Sequence, residues 1–297
     1  MKRLPPLPRW ALRAALEAAG APPRRRHGQH FLVDDNLLAA LVREAEVGPE
    51  DVVLEVGPGP GLLTRHLLAT GARVRAVEID ARVEGAARRL VEAELQPRLH
   101  WTSADALDGP QRLSRPLLDL LPGSTRVVSN LPYNVAAPLI ALLLAEGSAP
   151  DHLMVMVQAE MAQRLLAGPG SRNYGGLSVS CALLAEGRVT RRVPPEAFWP
   201  VPKVASAIIS LHRRPDRPAA DEMRALHDFL ARAFHARRKT LCNSVGERSG
   251  LPAGQVAQLL ELDEIFQKLR AEAFSPLQFR ALARTWAAHA PGERHRP

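Results

Sequence analysis

Cysteine is nearly absent from the chain. Its 297 residues include two, Cys181 and Cys242, far apart and each without a neighbouring cysteine. That argues against a disulfide framework and against a cysteine-bound zinc site, and leaves two reduced thiols in a cytosolic protein. No metal site is expected. No run of about 18 apolar residues occurs, which argues against a membrane-spanning helix. The opening MKRLPPLPRW is basic and proline-rich but lacks the apolar stretch of a secretory signal, so a cytoplasmic location and no membrane partner are expected. Lysine is scarce too, standing at Lys2, Lys203, Lys239 and Lys268 only, so the net charge of +8 is almost wholly arginine. Internal repeats and low-complexity segments are missing.

What is present is an alternation. Val52–Val56, residues 73–79, 98–102, 126–129 and 153–157 read as apolar strands. Helical patterns lie between them over residues 62–69, 81–95 and 137–145. Strand, helix, strand, repeated, predicts a doubly wound α/β fold with a mostly parallel sheet. Residues 187–193 and 205–212 are strand-like without a helix between them, which suggests an antiparallel pair at one edge. Helical patterns at 223–234, 253–262 and 276–288 follow Arg213-Arg214-Pro215. The expected division is therefore a catalytic domain over 1–213 and a small all-helical domain over 214–297.

The first motif is Leu54-Glu55-Val56-Gly57-Pro58-Gly59-Pro60-Gly61, a strand followed by a glycine turn that opens a helix. A dinucleotide fingerprint G-x-G-x-x-G would place its third glycine at position 62, where Leu62 stands. A nicotinamide oxidoreductase is thus disfavoured. At the next strand end, Val77-Glu78-Ile79-Asp80 offers a carboxylate able to accept both ribose hydroxyls. Asp105, in Ser103-Ala104-Asp105-Ala106-Leu107, can accept from an adenine amine. The sum is a site for an adenosine without a pyrophosphate.

The strongest signal is Ser129-Asn130-Leu131-Pro132-Tyr133-Asn134. An exocyclic amine is a poor nucleophile because its lone pair is delocalised into the ring. The Asn130 side-chain oxygen and the Leu131 carbonyl can hold its two N–H bonds and draw the nitrogen towards tetrahedral geometry. Pro132 stiffens the turn, and Tyr133 offers a face for stacking the base. Phe198, in Phe198-Trp199-Pro200-Val201-Pro202-Lys203, can cover the other face of the base or else pack in the core. The charge has two readings, an arginine-rich composition or a polyanion partner. The clusters at Arg24-Arg25-Arg26, Arg191-Arg192, Arg213-Arg214 and Arg237-Arg238-Lys239 favour nucleic acid, with Arg24, Arg25, Arg26, Arg191, Arg237, Arg238 and Lys239 as candidate RNA contacts.

These motifs, with Gly28-Gln29-His30-Phe31-Leu32, Tyr174 to Val179 and Phe234 to Leu241, resemble those of the ribosomal RNA adenine dimethyltransferases of the kasugamycin-resistance type, from about Arg26 to Arg280. The resemblance implies a doubly wound methyltransferase fold with a helical C-terminal domain. It implies S-adenosylmethionine contacts at His30, Leu32, Gly57, Glu78, Asp105 and Asn130, with Gln29, Gly59, Ile79 and Ala106 in the same matching stretches. It implies transfer of two methyl groups to each of two adjacent adenosines in a hairpin loop near the 3′ end of small-subunit (16S) rRNA, within a pre-30S particle. A monomer is expected. Ala136 and Ala137 stand where a hydroxyl residue is usual, and Cys242 where a basic or polar one is common. The competing readings are a large-subunit rRNA methyltransferase of the antibiotic-resistance type, a DNA adenine methyltransferase, and an assembly factor whose binding matters more than its catalysis.

Overall fold

The computed structural model describes residues 4–23 and 29–289. The chain divides into two compact units. One holds the residues up to Ala162 together with Gly187–Arg213; the other holds Gln163–Glu186 together with the residues from Arg214 onward. The expected boundary near residue 214 is therefore incomplete, because Gln163–Glu186 belongs with the helices that follow.

The first unit opens with α1 (Arg9–Ala18), β1 (Phe31–Leu32) and α2 (Asp35–Glu44). Then come β2 (Val52–Val56), α3 (Leu62–Leu68), β3 (Arg73–Glu78), α4 (Ala81–Leu90), β4 (Leu99–Ser103) and α5 (Arg115–Leu118). After them follow β5 (Arg126–Asn130), α6 (Ala136–Ala145) and β6 (His152–Gln158). The unit boundary divides α7 (Ala159–Leu165), and α8 (Gly176–Leu184) lies beyond it. The chain returns through β7 (Ala185–Val193), β8 (Phe198–Trp199) and β9 (Ser206–Arg213). Four helices end it: α9 (Ala220–Ala233), α10 (Leu241–Ser249), α11 (Ala253–Leu259) and α12 (Pro276–His289).

Seven strands form one sheet in the order β4-β3-β2-β5-β6-β9-β7. Strands β2 to β6 pair in parallel, and β9 returns antiparallel to β6 with His152 opposite His212. The strands read as continuous apolar runs because both faces are covered: Val53, Leu54, Val74, Ala76, Val127, Val128 and Leu153 are fully buried. Register aligns the carboxyl ends. Val56 stands opposite Val77, Glu78 opposite Ser103, and Asn130 opposite Met156. The glycine turn, the acidic strand end and the amine motif are thereby brought to the same edge, where open α/β sheets bind their ligands.

Local chemistry sets several boundaries. Asp34 caps α2 by accepting from the amides of Asn36 (2.9 Å) and Leu37 (3.1 Å). Helix α4 stops at Leu90, short of the expected residue 95. Val91 turns extended, and its side chain lies over Gly61, where a Cβ would stand 3.1 Å from Val91 Cγ2. In the second unit, α9 and α12 bury Leu226, Phe229, Phe279 and Trp286, and Tyr174 donates to the Phe274 carbonyl at 2.9 Å.

Candidate active site

Three glycines of the turn after β2 take left-handed backbone: Gly57 (φ +69°), Gly59 (+54°) and Gly61 (+82°). All three are needed for closeness as well, Gly61 against Val91. A Cβ on Gly57 would stand 3.0 Å from Pro132 Cδ, and one on Gly59 2.9 Å from the Phe31 ring. The turn can therefore press against both the amine motif and β1 while keeping its own backbone open to a ligand.

Above it lies a cavity of ≈ 450 Å³, within the range of about 300–1,000 Å³ usual for small-molecule sites. Gln29, His30, Leu32, Gly57, Gly59, Glu78, Ile79, Asp105, Ala106, Asn130, Leu131, Pro132 and Tyr133 all line it. The structure thus brings together every residue proposed for the cofactor and all but one of those proposed for catalysis. Glu78 is nearly buried and accepts from the amides of Gly59 (3.1 Å) and Asp80 (3.0 Å). Burial raises its pKa, against those backbone hydrogen bonds. Beside these donors and the Ile79 amide, the carboxylate keeps acceptor capacity for a ligand hydroxyl. Asp105 is exposed at the rim, with Oδ1 accepting from the Leu107 amide at 2.9 Å. Ile79 is 69 % exposed, an apolar face with no protein against it.

The amine motif is held at several points. Asn130 Nδ2 donates to the His30 carbonyl (3.4 Å), which leaves its Oδ1 without a protein donor among the described residues. His30 Nδ1–H in turn donates to the Pro200 carbonyl at 2.7 Å. Pairing of β1 with β8, Phe31 opposite Trp199 and Leu32 opposite Phe198, brings these two segments together. Tyr133 stacks on His30, with ring centroids 6.0 Å apart at 26°, and its hydroxyl meets Ser206 Oγ at 2.9 Å. Leu131 lines the cavity with 1 % of its surface exposed.

Phe198 is the exception. It is fully buried in the apolar cluster of the first unit and does not line the cavity, so its core-packing role prevails over the stacking one. The RNA candidates also sort. Arg24, Arg25 and Arg26 lie outside the described residues. Arg191 is engaged with Glu44, Nε to Oε1 3.0 Å. Arg237 Nη2 donates to the carbonyls of Arg172 (3.0 Å) and Tyr174 (2.8 Å), and Lys239 pairs with Glu247 at 2.8 Å. Arg238 is exposed.

Sequence reasoning missed Glu55. Its carboxyl is fully buried, lines the cavity and accepts from Thr64 Oγ1 at 2.7 Å. Burial pushes its pKa up to about 8, with the nearby Glu78 charge adding to the rise. The signal was available, since a lone carboxyl interrupts an otherwise apolar strand. Ser206 was missed as well, for its hydroxyl matters only through a contact with a residue 73 positions away.

The residues fit S-adenosylmethionine. A glycine cradle that would reject any side chain and a nearly buried carboxylate with spare lone pairs suit an adenosine. The free Asn130 oxygen stands at the same cavity.

Residues 21–284 match the family model described as ribosomal RNA adenine dimethylase. The chain is 41% identical over 280 residues to the ribosomal RNA small subunit methyltransferase A of Phenylobacterium zucineum, covering 93% of each chain. It is 39% identical over 267 residues to the protein of that name from Thermosynechococcus vestitus, covering 88% of this chain and 95% of the relative. Among solved structures, a dimethyladenosine transferase from Plasmodium falciparum aligns with a TM-score of 0.70 at 24% identity, over 85% of this chain and 96% of its own. The 23S rRNA methyltransferase ErmE aligns at 0.59 and 23% identity, over 86% and 98%. At such identities the two structures speak for the fold.

Proposed function

The chain belongs to the ribosomal RNA adenine dimethylase family, and from that premise we propose that it dimethylates the N6 amines of two adjacent adenosines near the 3′ end of small-subunit rRNA. The observation that carries this reading is the Asn130 amide. One N–H of its NH₂ is directed at the His30 carbonyl, which turns its oxygen to face a donor, and an adenine amine is a donor.

When bound, S-adenosylmethionine supplies a methyl group on a sulfonium, electrophilic without further activation. The chain's own work is binding and aim. Glu78 accepts from the ribose hydroxyls, Asp105 from the adenine amine of the cofactor, and the Gly57–Gly59 backbone leaves room for the rest. Asn130 Oδ1 and the Leu131 carbonyl accept from the two N–H bonds of the target amine. That localises the nitrogen lone pair and turns it towards the methyl. The Tyr133 ring supports the base. No strong base is needed, because the methylated ammonium sheds its proton readily to water. The unit built from Gln163–Glu186 and α9–α12 contributes to holding rRNA, with Arg238 among its exposed cations. The enzyme acts as a monomer on small-subunit precursor particles in the cytoplasm.

The test is methyl transfer from labelled S-adenosylmethionine to small-subunit particles that lack the modification. The fragment is then read by mass, with large-subunit RNA and DNA as competitors. Doubly methylated adjacent adenosines are expected, together with a loss of roughly 10²–10³-fold for Asn130→Ala, the size found when one oriented polar contact to a transition state is removed. No transfer by the folded parent, or an Asn130→Ala protein equal to it, overturns the reading.

A further inference from the structure

The backbone of the turn that carries Tyr133 is tied at its two ends. The Leu131 amide donates to the Met156 carbonyl (3.1 Å) and the Val135 amide to the Pro132 carbonyl (3.2 Å). Helix α6 behind it begins without a side-chain cap, Val135 standing at the cap position and Ala136 and Ala137 following. A helix start without a capping oxygen leaves its first amides unanswered by side chains and gives the preceding turn little local support. An aromatic ring that must receive a base in one place needs its far end fixed as well as the face that meets His30.

That restraint comes from β9. Ser206 is wholly buried as the first residue of the strand, opposite Gln158 of β6, and Ala207, Ile208 and Ile209 after it are buried as well. Its Oγ meets the Tyr133 hydroxyl at 2.9 Å. Held by the ladder with β6 and shut from water, the serine is a fixed post. The tyrosine is a lever whose far end is tied to it. We infer that Ser206 is a positioning residue for methyl transfer, its buried hydroxyl setting where the Tyr133 ring stands to receive the target base.

Two consequences separate this from ordinary packing. The phenol hydroxyl is spent on the serine, so Tyr133 offers the base a ring face and no proton chemistry. Removing either hydroxyl breaks the same single contact, so Tyr133→Phe and Ser206→Ala should do the same damage and should not add. Cofactor affinity should be untouched, because Glu78, Asp105 and the glycine turn do not depend on this tie.

The inference rests on the reading that the base stacks on Tyr133, and the experiment keeps the two apart. Parent, Ser206→Ala, Ser206→Thr, Tyr133→Phe and the double variant are compared for kcat on unmodified small-subunit particles, for S-adenosylmethionine affinity, and by ¹⁹F NMR after 3-fluorotyrosine labelling. The chain has two tyrosines, so the spectrum assigns itself by difference with Tyr133→Phe. Expected are a fall in kcat of about tenfold in either single variant and no further fall in the double one, as two ends of one contact require. Cofactor affinity should stay level, Ser206→Thr should restore kcat, and Ser206→Ala should move the Tyr133 resonance. A Ser206→Ala protein with parental kcat and an unmoved resonance overturns the inference; so do single losses that multiply in the double variant. A folded parent that methylates no RNA counts against the proposed function alone, and the ¹⁹F comparison then still decides whether the serine sets the ring.

Discussion

Glu55→Gln should remove part of the decline in the first unit's stability that the parent shows as pH rises from 4.5 to about 8. The Glu55 carboxyl is fully buried, touches Thr64, and has its pKa pushed from 4.5 to about 8, chiefly by burial. Below pH 4.5 it is protonated in both folded and unfolded chains and makes no difference between them. Above that, the unfolded chain ionises while the native site keeps its proton, so native stability falls with rising pH until the folded pKa is reached. At about 1.4 kcal/mol for each pH unit, the span amounts to about 5 kcal/mol. Glutamine preserves the shape and an oxygen for Thr64 but cannot ionise. The variant should match the parent near pH 4.5 and exceed it progressively up to pH 8, after which the gap stays constant. Glu78, raised in the same direction, is present in both proteins and cancels. Urea unfolding at successive pH values, followed by tryptophan emission, reads this directly, because Trp10, Trp101 and Trp199 belong to the first unit. Parallel stability curves for the two proteins between pH 5 and 8 would refute the reasoning.

S-adenosylmethionine affinity should weaken as pH falls through the raised pKa of Glu78, since the protonated acid accepts poorly from ribose hydroxyls; titration calorimetry with Glu78→Gln should give weak binding without that pH dependence. Gly59→Ala forces a left-handed alanine against the Phe31 ring. A cost of about 1–2 kcal/mol from the backbone is expected, visible as a lower melting temperature and weaker cofactor binding. Arg237→Ala frees two carbonyls and should lower the melting temperature of the helical unit, whereas Arg238→Ala should lower RNA affinity and the slope of its salt dependence without altering melting. Arg191→Ala breaks an exposed ion pair with Glu44 and should change stability by less than about 1 kcal/mol.

The parts of the fold legible in the sequence are those fixed by local pattern. Apolar runs such as Val52–Val56 and residues 153–157 are short, rich in β-branched residues or bounded by turns, which favours buried strands over helices. The glycines at 57, 59 and 61 mark a turn because only glycine sits easily in that backbone. The amine motif was legible because its chemistry is contiguous. What escaped was decided by distant partners. β1 and β8 are two residues each and exist through pairing with one another. Phe198 could be ligand or core until the fold placed Leu32 opposite it. Gln163–Glu186 follows the α/β pattern in sequence but packs with helices that come later. The tasks of Arg191 and Arg237 depend on where flexible side chains find an acceptor, which no periodicity encodes. Helix α10, unmarked by apolar spacing, is announced by Thr240, which accepts from the Asn243 amide at 3.4 Å.

The short ribbon of β1 and β8 has a thermodynamic corollary. Through Phe31 it abuts the glycine turn proposed for the nucleoside, and through the Pro200 carbonyl it grips the histidine whose carbonyl accepts from the Asn130 amide. One small element thus borders both proposed ligand positions. A change that loading the methyl donor makes in this ribbon is felt at the proposed base site too, and by linkage each ligand then changes the other's affinity by the same factor. The donor-loaded and empty proteins should therefore differ in their grip on the particle, with the product thioether able to report how much of that difference belongs to the transferable methyl itself.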